Sequence, residues 1–452
     1  MSCDRIVVGA GLSGMLAALE YAEQGHRVTV IDAAPQLGGA LASAVVDGFR
    51  VDTGADAFST ARGDMRELAE QWGLGDDVVT PSGRQAHSAH ADGLYPLGPG
   101  VFGIPAGHQA LRAAPGLQQA AIEQAIASDS APWRDDPSWS VAELVRQRLG
   151  STVLERLVDP VISGVFGAPA DELAWDAVCP ELVQTARETG SILTASQYLR
   201  GGAETVGLAV ASLRGGLHRL VETAEQRLLD AGVRIEQRTA VSHLERISGG
   251  WIVGAGTERF VPNVTLALGP RELRRLLGTA GWEADTLPAI EPTPSRVVVV
   301  SVESEALDQQ PLGTGVLVAP SYGGEVKAVT HVNAKWGWWQ DVLPPHRHLL
   351  RLSMARPQEP REGVRRAVET ALESLVGVER SALRDMVVQD WPDTLTRPAP
   401  GMTASVQETV ASARGWGLDI RGAGIAGNGL LRIATDHHTR RMKERDDVFV
   451  SG

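Results

Sequence analysis

Cysteine is nearly absent from this chain. Cys3 and Cys179 are the two in 452 residues, far apart and outside any Cys-x-x-Cys pair, so neither a disulfide framework nor a cysteine metal site is expected. Positive charge is also in deficit: 42 Lys and Arg face 55 Asp and Glu, for a net charge of -13. That balance argues against a nucleic-acid partner, which needs clustered Lys and Arg to neutralise phosphates. No stretch of about 18 apolar residues runs free of charge, so no spanning helix is expected. The chain enters an apolar strand within a few residues of Met1 without a charged-then-apolar leader, and a reducing cytoplasm is the expected location. Aromatic residues make up only 5%, and unevenly, with 11 Trp against 4 Tyr and 6 Phe. Indoles fill cores or line apolar ligand sites, and composition does not say which.

What the chain has is length, 43% hydrophobic residues and 50 Gly. It exceeds what one core usually serves, so two or three interpenetrating domains able to enclose a large ligand are expected. Ile6-Val7-Val8 reads as a buried parallel strand running into Gly9-Ala10-Gly11-Leu12-Ser13-Gly14, a G-x-G-x-x-G that opens a helix through about Gln24. In such a turn the first glycine allows the bend, the second lets a diphosphate approach the backbone, and the third lets helix and strand pack closely. Amides at the helix start then hold the phosphates. Gly25-His26 ends the helix, residues 27–31 form a second strand, and Asp32 closes it at the position where an acid takes a ribose. The unit binds a dinucleotide.

Pro35-Gln36-Leu37-Gly38-Gly39-Ala40 resembles the second glycine pair of the flavin amine oxidase and phytoene desaturase superfamily, which implies FAD. That superfamily usually has Arg or Lys where this chain has Ala40. Residues 47–55 resemble its next segment, a hairpin ending where the chain passes the flavin. Met65, Leu68, Ala69 and Trp72 have helical spacing, residues 80–108 read as hairpin and loop, and residues 110–215 read as mostly helical. Strands near 233–235, 240–241, 251–253 and 264–268 return to the cofactor lobe. Residues 296–301, 315–320, 326–332 and 348–354 read as strands of a second sheet, with a helix at 362–375. The expected fold is α/β, with a discontinuous Rossmann-type FAD-binding domain over residues 1–80, 210–268 and 395–452. A mostly helical insertion domain covers 81–209, and a mixed-sheet substrate-binding domain covers 269–394.

Over most of its length the sequence resembles the bacterial protoporphyrinogen and coproporphyrinogen oxidases. Gly54-Ala55-Asp56-Ala57-Phe58, Gly103-Ile104-Pro105-Ala106 and Asp159-Pro160-Val161-Ile162-Ser163-Gly164-Val165-Phe166-Gly167 carry that resemblance, with residues 213–217 and Lys335-Trp336. It implies an FAD-dependent oxidase that removes hydrogen stepwise from a reduced tetrapyrrole, coproporphyrinogen III or protoporphyrinogen IX, with dioxygen as acceptor. It also implies FAD contacts from Gly9, Gly11, Leu12, Ser13, Gly14, Asp32, Gly38, Gly39, Ala40, Val241, Gly427 and Asn428. The segment after Asn428 and the segment 397–402 depart from the family's pattern. Two alternatives therefore stay open: an FAD oxidase recruited to an amine or specialised metabolite, and a non-catalytic FAD- or tetrapyrrole-binding protein.

No acid-base dyad stands out, and none is demanded when a flavin carries the chemistry. Lys335, His87 and Arg84 are the candidates for a catalytic role, with His90 beside them. Arg84, Arg296 and Arg351 are candidates to pair with substrate carboxylates. His437-His438 beside Asp436 lack a partner at metal-binding spacing, so no metal site is expected. Residues 111–127 offer a helical, alanine-rich surface fit for at most weak peripheral membrane contact. The oligomeric state is left open.

Overall fold

The computed structural model describes residues 4–134, 136, 138–201, 210–282, 291–354, 361–399 and 402–450. Cys3 lies outside them, as do Pro400 and Gly401 of the divergent segment 397–402.

Five parallel strands form the first sheet, in the spatial order Arg234–Glu236, Arg27–Ile31, Asp4–Val8, Asn263–Ala267 and Leu418–Arg421. Alternation along the central strand explains its apolar run Ile6-Val7-Val8. Val7 faces a core with Met15, Leu16 and Val30, whereas Ile6 and Val8 face another with Trp251, Leu266 and Leu276. The helix Leu12–Glu23 buries nine of its twelve residues, because helices His218–Asp230 and Leu430–Val450 pack on it from the side away from the sheet.

The fifth strand was not anticipated from sequence. Leu418–Arg421 has four residues, of which Asp419 and Arg421 are charged, and only the tertiary structure supplies their partners: Arg421 meets Glu20 at 2.7 Å and Asp419 at 2.6 Å, and Arg440 meets Asp419 at 2.8 Å. Ala240 and Val241, expected in a strand, instead lie in the loop between Arg234–Glu236 and the antiparallel meander 243–261.

The second sheet has seven strands, in the order Leu383–Arg397, Glu291–Glu303, Arg347–Met354, Val326–His331, Gly315–Val318, His87–His90 and Gly93–Pro96. The helix Arg361–Ala371 covers one face through Val364 and Val368 against Val298, Val300, Leu350 and Leu352. The other face carries Val297, Val299 and Leu349 and packs on Val46, Val51, Trp336 and Trp339, so these indoles are core residues. Leu383–Arg397 hides its strand character behind Arg384 and Asp390, which pair with Glu303 and Arg296, and Asp385 and Asp393, which accept the Asp47 and Arg271 amides. His87–His90 and Gly93–Pro96 form a hairpin in the stretch 80–108 read as hairpin and loop and assigned to the insertion 81–209; pairing of His87, Ser88 and Ala89 with Val316, Leu317 and Val318 takes it into this sheet.

Helices begin in earnest at Gly107 and continue to Leu199 around Leu144, Leu149, Ile162, Leu173, Ile192 and Leu193. A buried Arg148 holds that bundle, pairing with Asp129 at 3.3 Å and donating to the carbonyls of Ala131 and Gly190. The surface expected over residues 111–127 is two helices, Gly107–Ala113 and Gln119–Asp129, and Leu111 and Ile122 are turned into the core. Little apolar area is left there for a membrane. No helix among the described residues is long and apolar enough to cross one.

Candidate cofactor and substrate site

The cradle is built by the ends of two parallel strands. Gly9 has φ +99°, and a Cβ there would lie 2.2 Å from the Ala267 carbonyl oxygen, so only glycine lets the chain turn against the neighbouring strand. A Cβ at Gly14 would lie 1.9 Å from the Gly9 oxygen, which makes it the close-packing glycine between helix and turn. Gly11 differs from both. Nothing lies within 4 Å of where its Cβ would be, so its glycine serves space that the protein leaves open at the start of the helix Leu12–Glu23. That helix has no side-chain cap and no acid in its first turn, so its positive end is free for an anion.

Asp32 sits half-buried at the end of its strand and accepts the Ala10 amide at 2.6 Å and the Ala34 amide at 2.7 Å. Gly38 donates its amide to the Ala10 carbonyl at 2.8 Å, and a Cβ on Gly39 would lie 3.2 Å from the Gly11 Cα. Both glycine pairs therefore share one wall. Val241 lies in the loop that Thr239 and Arg238 fasten to the same region, through the carbonyls of Asp32 and Ala34. The Val241 carbonyl accepts from Arg275 at 2.7 Å.

At the C-terminal end, Gly422, Gly427 and Gly429 all have positive φ, and the chain passes from the strand Leu418–Arg421 through them into the helix Leu430–Val450. Despite its divergent sequence, this segment forms strand, glycine turn and helix. Asn428 commits its side chain to Thr396, accepting from its amide and hydroxyl at 2.8 Å and donating to its carbonyl at 2.6 Å.

From the cradle a continuous path leads to the second sheet. Ala55 donates its amide to the Ala40 carbonyl at 2.8 Å, and a Cβ on Gly54 would lie 1.9 Å from that oxygen. Arg351 donates to the Gly54 carbonyl at 2.7 Å, and Lys335 meets the Asp56 carboxylate at 2.9 Å while lying over the Trp336 ring. Burial alone would raise the Asp56 carboxyl, but Lys335 and Arg351 outweigh it and bring it down to about 2. Asp52, four residues earlier, accepts the Leu217 and His218 amides at 2.7 and 3.2 Å and so caps the helix His218–Asp230 from a distant part of the chain. Sequence reasoning assigned no role to Asp52 or Asp56; the one available signal was an acid between small residues in Gly54-Ala55-Asp56-Ala57.

The catalytic candidates are brought together only in part. Ser82 donates its amide to the Lys335 carbonyl, which places the exposed Arg84 in Lys335's neighbourhood. His87 lies further on, its Nδ1 3.2 Å from the Leu312 carbonyl. His90 is buried, 3.1 Å from the Ser88 hydroxyl. Arg296 is buried on the helix-covered face of the second sheet and pairs with Asp390 at 2.6 Å, so unlike Arg351 it faces away from Asp56. His437 lies 3.5 Å from Glu20 and His438 borders a groove beside it; among the described residues no group of three His, Cys, Asp or Glu could hold a metal ion.

A parallel sheet with an open glycine cradle, an acid at the second strand and a partner sheet meeting the cradle defines a class: two-domain dinucleotide-dependent oxidoreductases. The model of the flavin containing amine oxidoreductases matches residues 12–427, and the chain belongs to that family. It is an FAD-dependent oxidoreductase, and the space at Gly11 with the uncapped helix behind it fits the cofactor's diphosphate. It is 30% identical to a coproporphyrinogen III oxidase of Mycobacterium bovis over 423 residues, 89% of this chain and 88% of that protein. A coproporphyrinogen III oxidase of Propionibacterium freudenreichii is 28% identical, over 74% of this chain and 69% of that one. The solved structure of a "Putative protoporphyrinogen oxidase" from Exiguobacterium sp. 255-15 superposes with a TM-score of 0.84 at 22% identity, over 99% of both chains.

Proposed function

We propose that this protein oxidises a porphyrinogen, coproporphyrinogen III or protoporphyrinogen IX, with dioxygen as acceptor, in the cytoplasm. The observation that carries the reading is the cradle at Gly11, joined through Gly39, Ala40 and Gly54 to Arg351 of the second sheet, with Lys335 beside it on Asp56. The activities of the porphyrinogen oxidases that match nearly the whole chain supply the substrate class. Gly9, Gly11, Leu12, Ser13 and Gly14 hold the diphosphate, Asp32 the ribose, and Val241 lies beside the adenosine. Gly38, Gly39, Ala40, Gly427 and Asn428 complete the cofactor wall, Asn428 through its backbone because Thr396 occupies its side chain. Residues 1–80, 210–268 and 395–452 act as the cofactor unit and 269–394 as the substrate unit, to which residues 87–96 add two strands.

When bound, the flavin supplies the two-electron acceptor for hydrogen removal. The protein's own part is binding, orientation and exclusion of water. Arg84, exposed near Lys335, is placed to pair with a substrate carboxylate, and His87 borders the same loop. The test begins with denaturing purified protein and identifying the released chromophore. Anaerobic mixing with coproporphyrinogen III or protoporphyrinogen IX then bleaches the flavin band, and air restores it with peroxide release. A band left unchanged by both porphyrinogens and bleached by an amine would replace this reading with an amine oxidase.

A further inference from the structure

The strand Arg234–Glu236 lies beside Arg27–Ile31 and runs parallel to it, so the chain that leaves it starts next to Asp32. Two bonds fasten the departing loop there: Arg238 donates its amide to the Ala34 carbonyl at 3.0 Å, and Thr239 donates its amide to the Asp32 carbonyl at 2.9 Å. Arg238 has φ +54°, a left-handed conformation uncommon outside glycine, so the bend is held by its surroundings. Ligands of such sheets bind beyond the carboxyl ends of the strands. With a ribose on Asp32, the base attached to it falls over this loop. The far side of the loop is held by another element. Arg275, from the helix Pro270–Thr279, donates to the Val241 carbonyl through Nη2 and to the Ser242 carbonyl through Nη1, both at 2.7 Å, and to Glu272 through Nε at 2.7 Å. The Ser242 amide donates to the Gly254 carbonyl at 2.8 Å, so the peptide joining Val241 to Ser242 is bonded at both ends. The amide of Val241, a residue only 5% exposed, has no hydrogen-bond partner among the described residues. Buried amides are seldom left unpaired, so this donor is open to an acceptor on a ligand.

We propose that Arg275 is a positioning residue for the adenine half of FAD: by fixing the backbone on the carboxyl side of Val241, it holds the Val241 amide ready for an acceptor nitrogen of the base and makes the protein select FAD over FMN. The inference rests on the placement of the cofactor given above, with the ribose at Asp32 and the adenosine beside Val241. A loop ordered before the ligand arrives does not lose its freedom at the moment of binding, and that saving appears as affinity. The planar guanidinium serves two carbonyls and a carboxylate at once, which the single ammonium of a lysine does not match. FMN carries no adenosine and gains nothing from the arrangement. A tie that only braced the helix against the loop would act on every flavin alike.

The test titrates FAD, FMN and ADP into apoprotein of wild type, Arg275→Met and Arg275→Lys, following fluorescence for the flavins and heat for ADP, with thermal melts to confirm that each apoprotein is folded. Arg275→Met weakens FAD and ADP by at least about tenfold, as expected for the loss of hydrogen bonds from a charged donor, and leaves FMN binding as it is in wild type. Arg275→Lys falls between the two. Should Arg275→Met not fold, Arg275→Lys decides by the same comparison. FAD and ADP binding that stay unchanged, or FMN binding that weakens as much as FAD binding, overturn the proposal. Wild-type apoprotein that takes up neither FAD nor ADP overturns the cofactor reading and this inference with it.

Discussion

The Asp32 carboxylate accepts the Ala10 amide at 2.6 Å, so the acid at the end of the second strand holds the glycine turn that follows the first. The same carboxylate fixes the Ala34 amide at 2.7 Å. Asp32 thus shapes the cradle before any ligand arrives, a support for the turn as well as the proposed ribose acceptor. Asp32→Ala is expected to raise the dissociation constant for FAD by at least about tenfold, since it removes a hydrogen bond to a charged group and loosens the turn. Quenching of flavin fluorescence on titration into apoprotein measures it.

Gly11 and Gly14 belong to one motif, yet their substitutions separate binding from folding. At Gly11, φ is -68° and the space around a Cβ is empty, so Gly11→Val leaves the apoprotein's melting temperature near wild type and abolishes FAD uptake. At Gly14 the added carbon meets the Gly9 oxygen, and Gly14→Ala costs the apoprotein about 1–3 kcal/mol. Thermal melts of the two apoproteins, followed by flavin binding, give the comparison.

Arg421 and Glu20 form an ion pair in which both side chains are almost wholly buried. Burial raises the Glu20 carboxyl, but His437 and Arg421 outweigh it and hold it below its usual range; Asp419 is lowered in the same way by Arg421 and Arg440. Arg421→Met leaves both carboxylates without that charge and should destabilise the protein by about 3–5 kcal/mol in urea unfolding. Both carboxylates have depressed folded values, so their contribution is complete above the ordinary carboxylate range. It is lost as pH falls below about 4 through those values.

His331 is buried with its Nε2 3.0 Å from the His348 Nδ1, and burial, His348 and Arg84 lower it to about 3. Unfolded, it takes a proton near pH 6.5, so below that pH the unfolded state binds the proton and the folded state does not. Wild-type stability therefore falls as pH drops from about 6.5 toward 3. His331→Leu should flatten that slope between pH 6.5 and 5, read from melting temperatures across the range; an unchanged slope would assign the pH response elsewhere.

The cradle was legible because its information is local. Gly9, Gly11, Gly14 and Asp32 lie within one strand, turn, helix and strand, where spacing alone brings the parts together. Neither Leu418–Arg421 nor Leu383–Arg397 could be read in that way, since each is a strand by virtue of what pairs beside it. Charged residues such as Asp419 and Asp390 look like loop until Arg421 and Arg296 are set against them. Arg351 and Arg296 were equal candidates on sequence, and strand register turned one toward Asp56 and the other toward the covering helix.

By itself the sequence determined that the first helix opens uncapped behind a glycine turn, because glycine at three fixed positions permits one local geometry. Only the tertiary structure decided which side chains meet that geometry from far along the chain. Asp52 caps a helix that starts at His218, and Arg351 of the second sheet and Lys335 of the helical turn Val332–Lys335 that follows one of its strands converge on Asp56. Such meetings depend on which face of a strand turns inward, and a shift of one residue in register reverses it.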